Sequence, residues 1–226
     1  VRKQNQHFLR DEGHVEVETF IDFPLDWGLG SSSTLIYNLA QWAYVGVYEL
    51  FFNNSNGSGY DIACAQSNGP IVYQKNEDGP KWELSNFAPN YKDKLSFVYL
   101  GKKVRSDKEI NNISKYRPFS EKSISYMNGL TEDLLNINDE KQFMEWVLAH
   151  ESFLSELLER ESVNNKFSDF NGVIKSLGAW GGDFVLVCSS DSPETVKEYF
   201  QSRGFKDIFR YDQIIAETSE MNHLRQ

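Results

Sequence analysis

Two short stretches carry residue types and spacings suited to chemistry on a phosphate. The first is Pro24-Leu25-Asp26-Trp27-Gly28-Leu29-Gly30-Ser31-Ser32-Ser33, placed just ahead of an amphipathic run. The first four backbone N–H groups of a helix lack intrahelical partners, and the helix dipole adds partial positive charge there, so an anion is the natural ligand. Gly28 and Gly30 can adopt positive φ and admit a phosphate to the backbone with no Cβ in the way. Ser31, Ser32 and Ser33 offer hydroxyls for capping, for phosphate oxygens or for a metal ion. The pattern is neither a Walker loop, since no Gly-Lys-Ser/Thr follows, nor the dinucleotide pattern G-x-G-x-x-G. By itself it is equally compatible with an ordinary loop and helix cap.

The second stretch, Gly57-Ser58-Gly59-Tyr60-Asp61, is again a glycine-serine turn opening onto a helical start, with a carboxylate in the first turn. Asp61 there either favours the helix dipole as a structural acid or acts on a substrate hydroxyl or a cation. A third glycine-rich stretch, Lys175-Ser176-Leu177-Gly178-Ala179-Trp180-Gly181-Gly182-Asp183, precedes an apolar strand.

The elements that must position these turns follow from periodicity. Val15 to Phe23 alternates apolar and acidic residues and predicts a half-buried strand ending at Pro24. Thr34 to Phe52 predicts one long helix, with Leu35, Ile36, Leu39, Ala40, Trp42, Ala43 and Val47 on its buried face. Ile71–Gln74, Lys81–Leu84 and Leu95–Leu100 are strand candidates. Lys102, Lys103 and Arg105 follow the last of them, as a solvated end or facing a substrate phosphate. Asp139 to Glu161 predicts a helix with a continuous apolar stripe, on which His150 reads as a hydrogen-bonded core histidine rather than a catalytic one. Phe184–Cys188 is a strand. Ser192-Pro193-Glu194 is a helix start with cap, proline and acid in order, and Asp207–Ile215 is a final strand region. The change to helical character after Ser106 sets a boundary between residues 1–112 and 113–226.

Composition bounds the partners. The 226 residues are 40% hydrophobic and carry a net charge of −10, which gives no electrostatic footprint for nucleic acid or an anionic membrane. A bound phosphate must therefore be held locally. No apolar stretch approaches the ~20 residues of a spanning helix. Cys64 and Cys188 lie in unrelated contexts without metal-site spacing, and a reducing cytoplasm is the expected compartment.

In order and separation, the three glycine turns resemble those of the GHMP kinases, the small-molecule kinase superfamily named for galactokinase, homoserine kinase, mevalonate kinase and phosphomevalonate kinase. Pro24, Gly28, Leu29, Gly30, Ser31 and Ser32 match that family's signature Pro-x-x-x-Gly-Leu-Gly-Ser-Ser, and Ser33 stands where alanine or glycine is commoner. Gly57 to Ala63 is similar to the block carrying the catalytic aspartate in the mevalonate and phosphomevalonate branches. Gly178 to Asp183 is similar to the C-terminal glycine motif, with Trp180 where glycine is usual.

The resemblance implies an α+β, two-domain fold: an N-terminal α/β domain of ribosomal-protein-S5-like type, incomplete at its start, and a C-terminal ferredoxin-like domain. It implies ATP held by Gly28, Leu29, Gly30, Ser31, Ser32, Ser33, Gly178, Gly181 and Gly182. Mg²⁺ would be held by Ser32 and a second carboxylate, Glu49, though that position reads first as a surface glutamate on the helix. Asp61 would orient or deprotonate the acceptor. The activity implied is transfer of the γ-phosphoryl group to a hydroxyl or phosphate of a small acid, mevalonate or phosphomevalonate first, and a homodimer is an assembly it allows. The family's upstream lysine motif has no counterpart ahead of the first strand. That absence and Trp180 keep open a catalytically impaired nucleotide- or metabolite-binding protein of the same fold. A plain interaction domain with structural glycines is the remaining alternative.

Overall fold

The computed structural model describes residues 1–101, 119–178 and 183–215. The chain divides into two compact units, Val1–Ser85 and Asn86–Gln226. The expected boundary between 112 and 113 falls outside the described residues.

In the first unit, residues 1–10 form successive turns that dock on the end of the first helix. The Asn5 amide donates to the Ala43 carbonyl at 2.7 Å, and Phe8 meets Trp42 edge-on with centroids 4.9 Å apart. The strand expected over Val15–Phe23 does not form, and the segment runs exposed, with Phe20 at 86%. Alternation makes a strand only where a neighbour takes the ladder hydrogen bonds, and among the described residues nothing pairs with this segment.

The single helix expected over Thr34–Phe52 is two: α1 (Ser31–Ala43) and α2 (Val47–Phe52). Tyr44 adopts a left-handed conformation, φ 52°, at the end of α1, and Gly46 starts α2. Ser33, Ala40 and Ala43 are buried, whereas Leu35 and Trp42, expected in the core, are about half exposed. A short third helix, α3 (Tyr60–Gln66), buries Ile62 and Ala63, and α1 packs against both α2 and α3. The antiparallel hairpin β1 (Ile71–Asn76) and β2 (Gly79–Leu84) pairs Tyr73 with Trp82 and packs β1 against α3.

The second unit is built on a four-stranded antiparallel sheet of β3 (Leu95–Tyr99), β4 (Val173–Ser176), β5 (Phe184–Cys188) and β6 (Ile208–Arg210), in the order β4-β5-β3-β6. Between β3 and β4 run α4 (Glu121–Leu134), α5 (Glu140–Leu157) and the short α6 (Val163–Lys166). Between β5 and β6 runs α7 (Pro193–Ser202), and α8 (Tyr211–Ile214) follows β6. Two split β-α-β units in this strand order are the ferredoxin-like arrangement. Strand alternation serves two cores. Val98, Ile174, Val185 and Val187 pack with Val163 of α6 and with Val196 and Phe200 of α7. Leu95, Val173 and Cys188 pack with Tyr91 and with Phe143 and Val147 of α5. The final strand region shortens to β6 because the Gln213 side chain accepts from the Arg210 N–H at 2.8 Å and turns the chain into α8.

Candidate functional site

The first glycine turn is assembled as its residue types require. A single 3₁₀ turn, Leu25–Trp27, ends at Gly28 with φ 70°, and Gly30, φ 80°, is the N-cap of α1. Both glycines occupy the left-handed region that other residues enter only with strain. Gly30 provides no side-chain cap, and a Cβ built there would meet nothing within 4 Å. The backbone at the start of α1 is therefore open to an incoming group. Ser32 is exposed, Ser31 is half-buried, Ser33 faces the interior, and Leu29 is 39% exposed.

The second turn is held from two sides. The Tyr73 hydroxyl donates to the Ser58 carbonyl at 2.6 Å, and Lys75 Nζ donates to the Gly57 carbonyl at 3.3 Å, so the β1–β2 hairpin grips it. On the other side lies α2. A Cβ at Gly57 would stand 3.0 Å from Phe51 Cζ, and one at Gly59 would stand 3.1 Å from Phe52 Cζ. Gly59, φ 88°, is the N-cap of α3, and Asp61 lies in its first turn. Asp61 reaches the surface, yet the protein around it thins its water shell and pushes its carboxyl above the ordinary range. A hydrogen bond from Tyr60 opposes that push. The same loss of water raises the Tyr60 hydroxyl and the Cys64 thiol, both also disfavoured by the neighbouring Asp61 charge. A carboxylate of raised basicity on an exposed helix start is suited to taking or orienting a proton.

Ser32 and Asp61 thus sit at the starts of two helices, α1 and α3, that pack against each other. Glu49 is exposed in the first turn of α2, which packs against both, and complements that helix's dipole. Among the described residues no group of three or more His, Cys, Asp or Glu side chains could enclose a metal ion. A cation here would need oxygens from a ligand as well. Ser32 and Glu49 supply only oxygen donors, the type that Mg²⁺ prefers.

The third turn belongs to the second unit. Gly178 has φ 60°, the Leu177 N–H donates to the Phe184 carbonyl at 3.2 Å, and the Leu100 N–H donates to the Asp183 carbonyl at 2.8 Å. Gly181, Gly182 and Trp180 lie outside the described residues.

Sequence reasoning overlooked a polar cluster beside this turn. Glu151 of α5 is 5% exposed and lies against Lys175 and Ser176 at the end of β4. The signal was available: Phe143, Val147, Glu151, Leu154 and Leu158 follow the three-and-four spacing of the apolar stripe, which places a carboxylate in the core. His150 is 13% exposed at its side chain, a core residue as expected, but its buried Nδ1 has no hydrogen-bond partner among the described residues, contrary to expectation. Burial, with Lys175 nearby, lowers it to about 4.

No family model matches the sequence, and no curated protein matches it. Solved structures do match. The phosphomevalonate kinase of Streptococcus pneumoniae in complex with phosphomevalonate and AMPPNP superposes with a TM-score of 0.62 at 17% identity, over 81% of this chain and 69% of that one. A second structure of the S. pneumoniae enzyme gives 0.63 at 17% identity, over 83% and 71%. The Lin0012 protein of Listeria innocua gives 0.56 at 18% identity, over 76% of this chain and 58% of its own length. The chain has a GHMP-kinase-like fold.

Proposed function

We propose that this chain is the core of an ATP-dependent small-molecule kinase of the GHMP type. The proposed reaction moves the γ-phosphoryl group of ATP to a hydroxyl or phosphate of a small acid, with mevalonate and phosphomevalonate the first acceptors to test. The observation that carries the reading is the start of α1: two left-handed glycines, an N-cap without a side chain, and open space over the backbone, within a fold shared with a kinase solved with AMPPNP.

In this reading the N–H groups of Ser31, Ser32 and Ser33 receive the nucleotide phosphates, which Gly28, Leu29 and Gly30 admit to the backbone. Ser32 and Glu49 would hold Mg²⁺, which would supply charge neutralisation for the transferring group. Asp61 receives the proton of an acceptor hydroxyl, its raised basicity matching that task. Gly178, Gly181 and Gly182 are the further nucleotide-binding residues of this reading. Positioning and charge neutralisation lower the barrier, with no covalent enzyme intermediate.

Turnover of Mg-ATP with a panel of small hydroxy and phosphorylated acids tests the reading. Asp61→Asn is expected to cut kcat by about 100-fold or more while Mg-ATP affinity holds, because a neutral amide cannot take the proton. Unchanged turnover in that variant would overturn the role of Asp61. A second reading is a binding protein without transfer, favoured by Trp180 in the third motif. Mg-ATP that raises the melting temperature yet is never consumed with any acceptor would select it.

A further inference from the structure

β4 is an edge strand of its sheet and leads into Gly178, where the third glycine motif begins. An edge strand presents backbone N–H and C=O groups that no ladder satisfies. Here side chains satisfy them in place of a further strand. At Ile174, the side-chain amide of Asn164 closes a two-way pair, accepting from the Ile174 N–H and donating to its carbonyl, each at 2.8 Å. At Ser176, the Glu151 carboxylate accepts the backbone N–H at 3.1 Å. It also lies 2.9 and 3.0 Å from the Ser176 hydroxyl through its two oxygens. Lys175 Nζ completes the arrangement, donating to Glu151 at 3.1 Å and to the Ser176 carbonyl at 2.9 Å.

A buried ion pair is a weak way to gain stability, because desolvation offsets most of the attraction. Its better-attested use is to select one arrangement over its neighbours. The cluster at Ser176 stands two residues ahead of Gly178, where the backbone leaves the sheet through a left-handed bend. A carboxylate that binds the backbone N–H, the hydroxyl and the adjacent ammonium of one short segment fixes both its height above α5 and its rotation. Apolar packing alone leaves that rotation loose.

We propose that Glu151, with Lys175 as its counter-charge, is a positioning residue that sets the entry of the third glycine turn. The proposal rests on the reading that Gly178 takes part in nucleotide binding. Glu151 itself touches neither.

The test compares wild type with Glu151→Gln, which keeps the shape and one acceptor oxygen but removes the charge that holds Lys175. Two quantities are measured in the folded proteins: amide hydrogen exchange, and affinity for Mg-AMPPNP. In Glu151→Gln the Ser176 and Leu177 amides are expected to exchange at least tenfold faster, with those of α7 unchanged as an internal control. Mg-AMPPNP affinity is expected to fall about tenfold. Unchanged exchange at Ser176 and Leu177 overturns the proposal. So does a uniform rise across the unit with unaltered affinity, which marks a general stabiliser. If wild type binds no nucleotide while the local exchange still responds, the positioning stands and the phosphate-binding reading falls. Should Glu151→Gln fail to fold, Ser176→Ala, which removes only the hydroxyl, decides by the same two measurements with changes of about threefold.

Discussion

Helices begin differently in the two units. In residues 1–85, α1, α2 and α3 start at Gly30, Gly46 and Gly59, none of which can cap a backbone N–H with a side chain. In the second unit, α4, α5, α6 and α7 start at Ser120, Asp139, Ser162 and Ser192, and each side chain accepts a hydrogen bond from the first turn. A side-chain cap is worth about 1 kcal/mol, so these four helices satisfy their starts internally and gain stability from them. The first unit forgoes that gain and keeps donors at the start of α1 available to something outside the chain. The contrast extends to buried polar groups. The second unit encloses Glu151, Lys175 and His150, whereas Asp61, Glu49 and Ser32 all reach the surface. One unit commits its polar chemistry to holding itself together, and the other presents it.

Four substitutions sharpen or break this contrast. The largest effect is expected at His150. Burial holds the folded imidazole near 4 against an ordinary 6.5, so between those values the unfolded chain binds a proton that the folded chain refuses. The stability contribution is complete above pH 6.5 and is lost as pH falls towards 4, by up to about 3 kcal/mol. Urea midpoints measured across that range should fall more steeply for wild type than for His150→Gln, and parallel curves would remove His150 from the account. Next is Gly30→Ala, which places a Cβ in open space at a left-handed residue. Its expected cost is about 1 kcal/mol in folding and a loss of Mg-ATP affinity of about tenfold. Full affinity in that variant would mean that the start of α1 is not a phosphate site. Ser192→Ala is the converse, with about 1 kcal/mol lost in the melting curve and Mg-ATP affinity untouched. The smallest change is Tyr44→Gly. Removing a 91%-exposed side chain from a left-handed cap should stabilise the first unit by under about 1 kcal/mol, read as a small rise in melting temperature.

What could be read from the sequence was what depends on neighbours a few residues apart. The glycine turns at Gly28–Ser33 and Gly57–Asp61, the Ser192-Pro193-Glu194 cap, the stripe of α5 and the strands β1 and β2 all follow from local rules and appear where those rules put them. Partnership over distance was illegible. Val15–Phe23 has the right alternation, but a strand exists only with a second strand beside it. The break after Ala43 had a signal in Gly46, outweighed by an apolar pattern that ran straight through it. The Glu151 cluster joins α5 to β4 across 24 and 25 residues, and no local rule links a carboxylate to a strand edge that far away. The candidate site is read mainly from its turns, and the means of fixing them only from the structure.

The strand order of the second unit carries a consequence for how the molecule is made. β3 lies between β5 and β6, although about 85 residues separate Tyr99 from Phe184. Of the four strands, β3 is synthesised first, and it waits until its neighbours β5 and β6 have left the ribosome. During that wait Leu95–Tyr99 is an adhesive segment, and translation speed through the intervening helices sets how long it stays unprotected.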